Sequence, residues 1–269
     1  MSSQSVEFVH ALWDELSDFD VSRCAEALDR LMARLCDLGG VWNATWAGAI
    51  RMSREAEGDL LRGWRVAQVR SLHPLPPPAH DGHFQDILRL WDRREIDPSF
   101  LLPMRDVGVF RTYGLRRDLP PAWFTTPFYK KHYGAVGIVD AAFVAFPLSP
   151  ECESHFGFYS RKPIDAEALE RLAYALRGIK WFHRQVLLSH GLLLASAPLT
   201  ATEQKVLQLL LTDAPEKHIA HQLGLAASTT HQHVVAIYRK FGIRSRAALM
   251  SLWLSPRVAG AAALEHPTV

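Results

Sequence analysis

The segment from Pro198 to Leu254 constrains this chain more than any other. Thr200 stands three residues before Glu203, the pattern of a capping box that opens a helix. Val206, Leu207, Leu210 and Leu211 give that helix its apolar stripe, and Asp213-Ala214-Pro215 ends it. A second helix over 216–223 carries Ile219, Ala220 and Leu223, and Gly224 supplies its C-cap. Ser228 is expected to cap a third helix, in which Thr230, Val234, Ile237 and Phe241 recur at steps of 4, 3 and 4. A fourth helix follows Ser245. Two short helices, a tight glycine turn and a longer helix make a helix-turn-helix.

Burying that row frees the opposite face of the third helix. Ser228, His231, Gln232, Val235 and Arg239 point outward in this reading. Such a face enters the major groove of duplex DNA with its N-terminal residues at base edges. Gln232 has the geometry to hold adenine N6 and N7 together, and a histidine meets guanine acceptors or a phosphate. Lys217, Arg239, Lys240 and Arg244 suit phosphate oxygens, which position without reading sequence. Ser228 and Thr229 sit with the free N–H groups of the helix start, a natural phosphate site.

These residues resemble the LuxR-type helix-turn-helix of bacterial transcription regulators. Leu199, Thr200 and Glu203 match the start of that pattern, Ile219, Ala220 and Leu223 its second helix, and Ser228, Thr229 and His233 its third. Thr230 replaces a valine, and Lys240 with Ser245-Arg246 completes the match over 57 of 269 residues. Asp213 stands where a glycine is usual, and His231 and Val235 stand where the groove face usually has lysines. The resemblance implies a homodimer on a two-fold operator and a salt link from Glu203 to a basic residue such as Arg246.

The first 190 residues read as α+β. Helices are expected over 5–16, 20–38, 84–94 and 165–189, and strands over 41–50, 63–70, 138–148 and 152–160. The turn at Ser149-Pro150-Glu151 joins the last two as a hairpin, and the proline-rich 73–80 is a loop. The row Leu169, Leu172, Leu176, Ile179, His183 and Val186 fits either a dimer seam or a helix packed on its own sheet. The fold class is therefore an α+β domain, an antiparallel sheet flanked by helices, over 1–189. A linker over 190–197, an all-α four-helix domain over 198–256 and a tail over 257–269 follow.

Composition narrows the function classes. No run reaches the ~20 apolar residues of a membrane helix, and the acidic start lacks a secretory signal's basic region. Three cysteines, Cys24, Cys36 and Cys152, are too few and odd in number for a disulfide framework. A cytoplasmic protein is expected. The net charge is +2, but residues 199–269 hold 7 Lys/Arg against 4 Asp/Glu, so the basic excess lies at the C-terminal end. No Walker loop, GxGxxG or Ser/His/Asp order occurs, so neither an enzyme nor a cofactor is indicated. His218 and His221, spaced i, i+3, have no cysteine nearby, and no metal is expected.

The N-terminal pattern resembles a GAF-like sensor module. It is also similar to the acyl-homoserine lactone receptors, through Asp97-Pro98. The latter resemblance implies that Asp97 accepts the ligand amide, while Phe84 and Leu88 occupy the positions of that family's Trp and Tyr. Aromatic residues are dense between 42 and 133. A ligand pocket on the sheet face is expected from Trp42, Trp46, Phe84, Leu88, Trp91, Phe110 and Tyr113, with Asp97 as polar anchor. The expected function is a homodimeric, sequence-specific DNA-binding regulator that senses a small apolar molecule, such as an acyl-homoserine lactone. The alternative is a DNA-binding regulator whose front is a ligand-free dimerisation or protein-partner module.

Overall fold

A computed structural model describes residues 1–52, 58–75, 83–93 and 95–255. Most of the proline-rich stretch and the 257–269 tail lie outside the described residues. The chain divides into two compact units, Met1–Leu187 and Leu188–Val269.

The first unit is built on five strands: β1 (Asn43–Arg51), β2 (Trp64–Ser71), β3 (Arg111–Gly114), β4 (Asp140–Ser149) and β5 (Cys152–Ser160). They form one antiparallel sheet in the order β2-β1-β5-β4-β3. The expected hairpin is β4–β5. The sequence reading has no strand at β3, which is only four residues long.

Strand alternation gives the sheet two buried faces. Ala44 and Trp46 of β1, Val144 and Phe146 of β4, and Phe156 and Phe158 of β5 point to one of them. Helices α1 (Ser3–Ser17), α2 (Cys24–Gly39), α6 (Ala166–Arg177) and α7 (Lys180–Ser189) make up the helical layer, in which α2 packs on β1 and α6 on β4. Leu28, Leu31 and Leu35 recur at helical spacing on α2 and are fully buried. The other face is covered by α3 (His83–Asp92), the 3-10 turn Pro98–Leu101, α4 (Leu115–Asp118) and α5 (Pro127–His132), with aromatic clusters around Trp91 and Trp123.

The expected single helix over 165–189 is two helices, α6 and α7, broken at Gly178-Ile179. Asp165 caps α6 by accepting from Ala168 N–H, as expected. A side chain at Gly178 would place its Cβ 2.2 Å from the Trp13 ring, whose Nε1 donates to Ala175 O at 2.9 Å. The row Leu169 to Val186, His183 included, is buried within this chain, so it packs on its own core and presents no seam. None of the three cysteines is in a disulfide and all three are buried; burial pushes the Cys36 and Cys152 thiols up to about 12.

One polar chain crosses the helical face. Trp46 Nε1 donates to Ser154 Oγ at 2.9 Å, Ser154 Oγ lies 2.9 Å from His183 Nδ1, and His183 Nε2 lies 3.0 Å from Leu176 O. Leu176 O only accepts, so Nε2 carries the proton and Nδ1 accepts from the serine. Burial lowers the His183 imidazole from 6.5 to about 4. The unfolded imidazole binds a proton that the folded one refuses. The stability from this group is thus complete above pH 6.5 and is lost as pH falls toward 4. Urea titrations should show about 3 kcal/mol of stability lost across that window. His183→Gln should remove that slope while lowering stability at pH 8.

The second unit holds α8 (Ala201–Leu210), α9 (Glu216–Leu223), α10 (Ala227–Phe241) and α11 (Arg246–Leu254). The Thr200–Glu203 capping box is formed in both directions. Gly224 and Gly242 end α9 and α10 in the left-handed region, at φ 63° and 64°. Thr230, Val234, Ile237 and Phe241 are the buried row of α10.

Candidate functional site

A cavity of about 170 Å³ lies between the second face of the sheet and its covering helices. Thr45, Ala47 and Ala49 of β1 form its floor beside His155 and Gly157 of β5. The register sets Thr45 opposite Gly157 and Ala47 opposite His155. A Cβ at Gly157 would lie 2.9 Å from Thr45 Oγ1 and 3.0 Å from Phe143 Cε1. Glycine is therefore the residue that lets these side chains converge. Trp64, Val66 and Val69 of β2 close one side, and Leu88, Trp91 and Phe100 close the roof. A slightly smaller apolar cavity of about 150 Å³ already admits benzene in another protein.

The polar part of the floor is organised by Glu153, whose side chain is 1% exposed. Arg111 reaches its two oxygens from β3 at 2.9 and 2.7 Å, and Gly108 N–H donates to it at 2.8 Å. Gly108 has φ 86°, a conformation that glycine adopts without strain. His155 Nε2 lies 3.0 Å from Glu153 Oε2, and His155 Nδ1 lies 3.3 Å from Tyr113 Oη. Burial alone would raise the Glu153 carboxyl. Hydrogen bonds from His155 and Arg111 outweigh it and hold the group at about 2. Burial pushes the Tyr113 and Tyr133 phenols well above their ordinary value and Tyr159 to about 12.

Of the residues expected in a ligand pocket, Leu88, Trp91 and Tyr113 line this cavity. Trp46 and Phe110 do not. Trp46 has the opposite strand parity and bonds Ser154, and Phe110 packs edge-on against Phe146 beneath Arg177 on the helical face. Trp42 precedes β1, packs beside the Trp123 cluster and lies under the Arg161 guanidinium. Phe84 is on α3, and its side chain lies outside the described residues. Asp97 is not in the lining. Its Oδ1 caps the 3-10 turn by accepting from Ser99 N and Oγ and also accepts from Trp123 Nε1 at 2.9 Å. Sequence reasoning missed Glu153, His155 and Arg111. Alternation along CESHFGFYS does put Glu153, His155 and Tyr159 on one face, which was the available signal.

In the second unit, His231, Gln232, Val235 and Arg239 lie exposed along α10, and Lys217 and Arg244 are exposed beside it. His231 Nδ1 lies 3.0 Å from Glu216 Oε2 of α9. Ser228 and Thr229 lie inside the first turn of α10, and Ala226, not Ser228, is the N-cap. The first-turn N–H groups still lack helix partners. Lys240 is turned inward. Its Nζ donates to Glu203 Oε2 at 2.7 Å and to Pro198 O at 2.8 Å, so the capping-box carboxylate claims it rather than a phosphate. Arg246 is not the partner of Glu203. It donates to the carbonyls of Leu210 and Ala214, both at 2.8 Å, and of Leu209 and Thr212 at the end of α8.

The Glu153 carboxylate gives one prediction. Its stabilising effect is present above its unfolded value of 4.5 and is lost as pH falls toward about 2. Glu153→Gln should flatten the acid limb of a pH–stability curve below 4.5. It should also cost about 3–5 kcal/mol at pH 7, because Arg111 is left charged and unpaired.

Residues 197–253 match the family described as bacterial regulatory proteins, luxR family (GerE). No curated protein matches the sequence. Among solved structures, the ligand-binding domain of VqsR from Pseudomonas aeruginosa is 13% identical, with a TM-score of 0.44 over 68% of this chain and 96% of that one. SdiA in complex with octanoyl-rac-glycerol is 11% identical, with a TM-score of 0.48 over 94% of this chain and 95% of that one. Escherichia coli SdiA in the space group P6522 is 11% identical, with a TM-score of 0.43 over 92% of this chain and 95% of that one. With its capped four-helix frame and exposed α10 face, the C-terminal domain of this chain is a luxR-type helix-turn-helix.

Proposed function

We propose that this chain is a sequence-specific DNA-binding regulator, acting as a homodimer, whose N-terminal domain takes up a small, mainly apolar molecule and so controls DNA binding. The observation that carries the ligand half is the cavity of about 170 Å³ on the sheet face, walled by tryptophan, valine and leucine with a few convergent polar groups. A binding site of this kind, and not a catalytic one, accounts for the wall chemistry. The regulator acts where DNA is, in the cytosol. A ligand shifts DNA binding only by its differential affinity for the two states of the protein.

The DNA half rests on α10. Gln232 reads a base edge, and Arg239, Lys217 and Arg244 meet phosphates. The first-turn N–H groups beside Ser228 and Thr229 take another phosphate, and His231 and Val235 complete the groove face.

Native mass spectrometry of the full chain tests the ligand half. A co-purifying small molecule that raises the melting temperature on re-addition supports the proposal. An empty protein that no member of an acyl-homoserine lactone and acylglycerol panel stabilises overturns it in favour of a protein-partner module. On a preferred site selected from random duplexes, Gln232→Ala should cost roughly 1–3 kcal/mol and relax one base pair. Arg239→Ala should weaken all duplexes alike and reduce the salt slope by about one. Lys240→Ala should leave the salt slope unchanged and lower the melting temperature of the second unit, because its ammonium is spent on Glu203.

A further inference from the structure

We infer that His231 reads one base edge through Nε2, and that Glu216 fixes this nitrogen as the one that faces DNA. The neutral ring then takes the amino group of cytosine, and the charged ring takes the acceptors of guanine. This rests on the proposal that α10 enters the major groove. His231 lies in the second turn of α10, within the stretch of such a helix that meets base edges. Its Nδ1 lies 3.0 Å from Oε2 of Glu216, the first residue of α9. An ionised carboxylate only accepts, so the hydrogen of that bond belongs to Nδ1. The assignment holds for the neutral ring and the charged one alike. Nε2 makes no hydrogen bond among the described residues, and the side chain is 66% exposed. The neutral ring therefore offers a lone pair there, and the charged ring an N–H.

The charges around the pair are accounted for. The helices packed against α10 are α8 and α9. From α9 Glu216 faces the ring, while Lys217, His218 and His221 are exposed. From α8 Glu203 is paired with Lys240, and Lys205 is exposed. Tyr238 feels both Glu216 and Arg246 of α11, and that guanidinium is spent on carbonyls at the end of α8. On α10 itself, one turn to either side of His231, stand Ala227, Ser228, Val234 and Val235, none of which titrates. His233 is half-buried, and Arg239 lies two turns on. In the major groove cytosine presents only a donor, N4–H, and guanine only acceptors, N7 and O6. Two proton states of one ring thus read opposite bases. Glu216 is the positioning residue that keeps them apart, because without it the neutral ring could carry its hydrogen on Nε2.

A duplex selected from a random pool by the full-length protein at pH 8 supplies the test site, and single-pair variants of it are titrated at pH 8 and pH 5.5. His231→Ala should make the identity of one base pair irrelevant, while the pair read by Gln232 keeps its effect. At the His231 pair, C·G in one orientation should bind about fivefold better than the reverse at pH 8, the scale of one hydrogen bond. The order should invert at pH 5.5 by a similar factor. His231→Ala retains His218, His221 and His233, so it separates this inversion from their titration. Glu216→Gln, at a side chain 43% exposed, should lose the preference at pH 8 and keep the one at pH 5.5. Loss of both preferences, or of neither, overturns the positioning role. The same order at both pH values, or a uniform weakening of all duplexes by His231→Ala, overturns the inference. Failure to select any duplex overturns the DNA reading beneath it. Without DNA, long-range proton–nitrogen NMR of histidine-labelled protein at pH 8 should show His231 as the Nδ1–H tautomer, assigned with His231→Ala. A ring protonated on Nε2 alone overturns the inference.

Discussion

A carboxylate buried at the middle of a sheet dictates its surroundings. Glu153 has to collect donors from three directions, because an unmatched charge there costs several kcal/mol. Arg111 arrives from the edge strand β3, Gly108 from the loop before it, and His155 from two residues along the same strand. The short strand β3 exists on these terms. It pairs with β4 through Arg111 to Gly114, and its first residue is the guanidinium that Glu153 requires. The polar part of the cavity floor is thus a structural necessity in its own right.

The strand β5 does comparable work on both faces. Glu153, His155 and Tyr159 look into the cavity, while Ser154, Phe156 and Phe158 look into the helical layer. Each face carries a hydrogen-bond chain ended by a fixed acceptor, Glu153 on one side and Leu176 O on the other. On the helical side the chain holds His183 in one tautomer. Buried networks of this kind rigidify their surroundings and specify a single packing arrangement.

How much of this was legible varied with the physics. The C-terminal helices were readable because local rules decide them: caps, a 3.6-residue period and glycine stops. Lys240 was misread because periodicity places it beside the exposed Arg239, whereas its partner Glu203 is 37 residues away. In β1 the alternation was legible, but not which parity meets the cavity, since Asn43 to Trp46 are buried on both faces. The density of aromatic residues points to Trp46, whereas the smaller Thr45 and Ala47 line the cavity. β3 escaped because four residues carry no readable period. The break at Gly178 escaped because Leu176 and Ile179 carry the apolar row straight through it.

The strand order also sets a schedule. β1 pairs with β2 on one side and with β5 on the other, and more than a hundred residues separate it from β5. During synthesis the β1–β2 hairpin emerges with one edge bare, and that edge stays bare until residue 160 has left the ribosome. A long-range closure of this kind is slow and exposes strand edges meanwhile. The nascent front half is then a candidate for chaperone capture, and a stop anywhere before Ser160 leaves a fragment that cannot bury its own sheet.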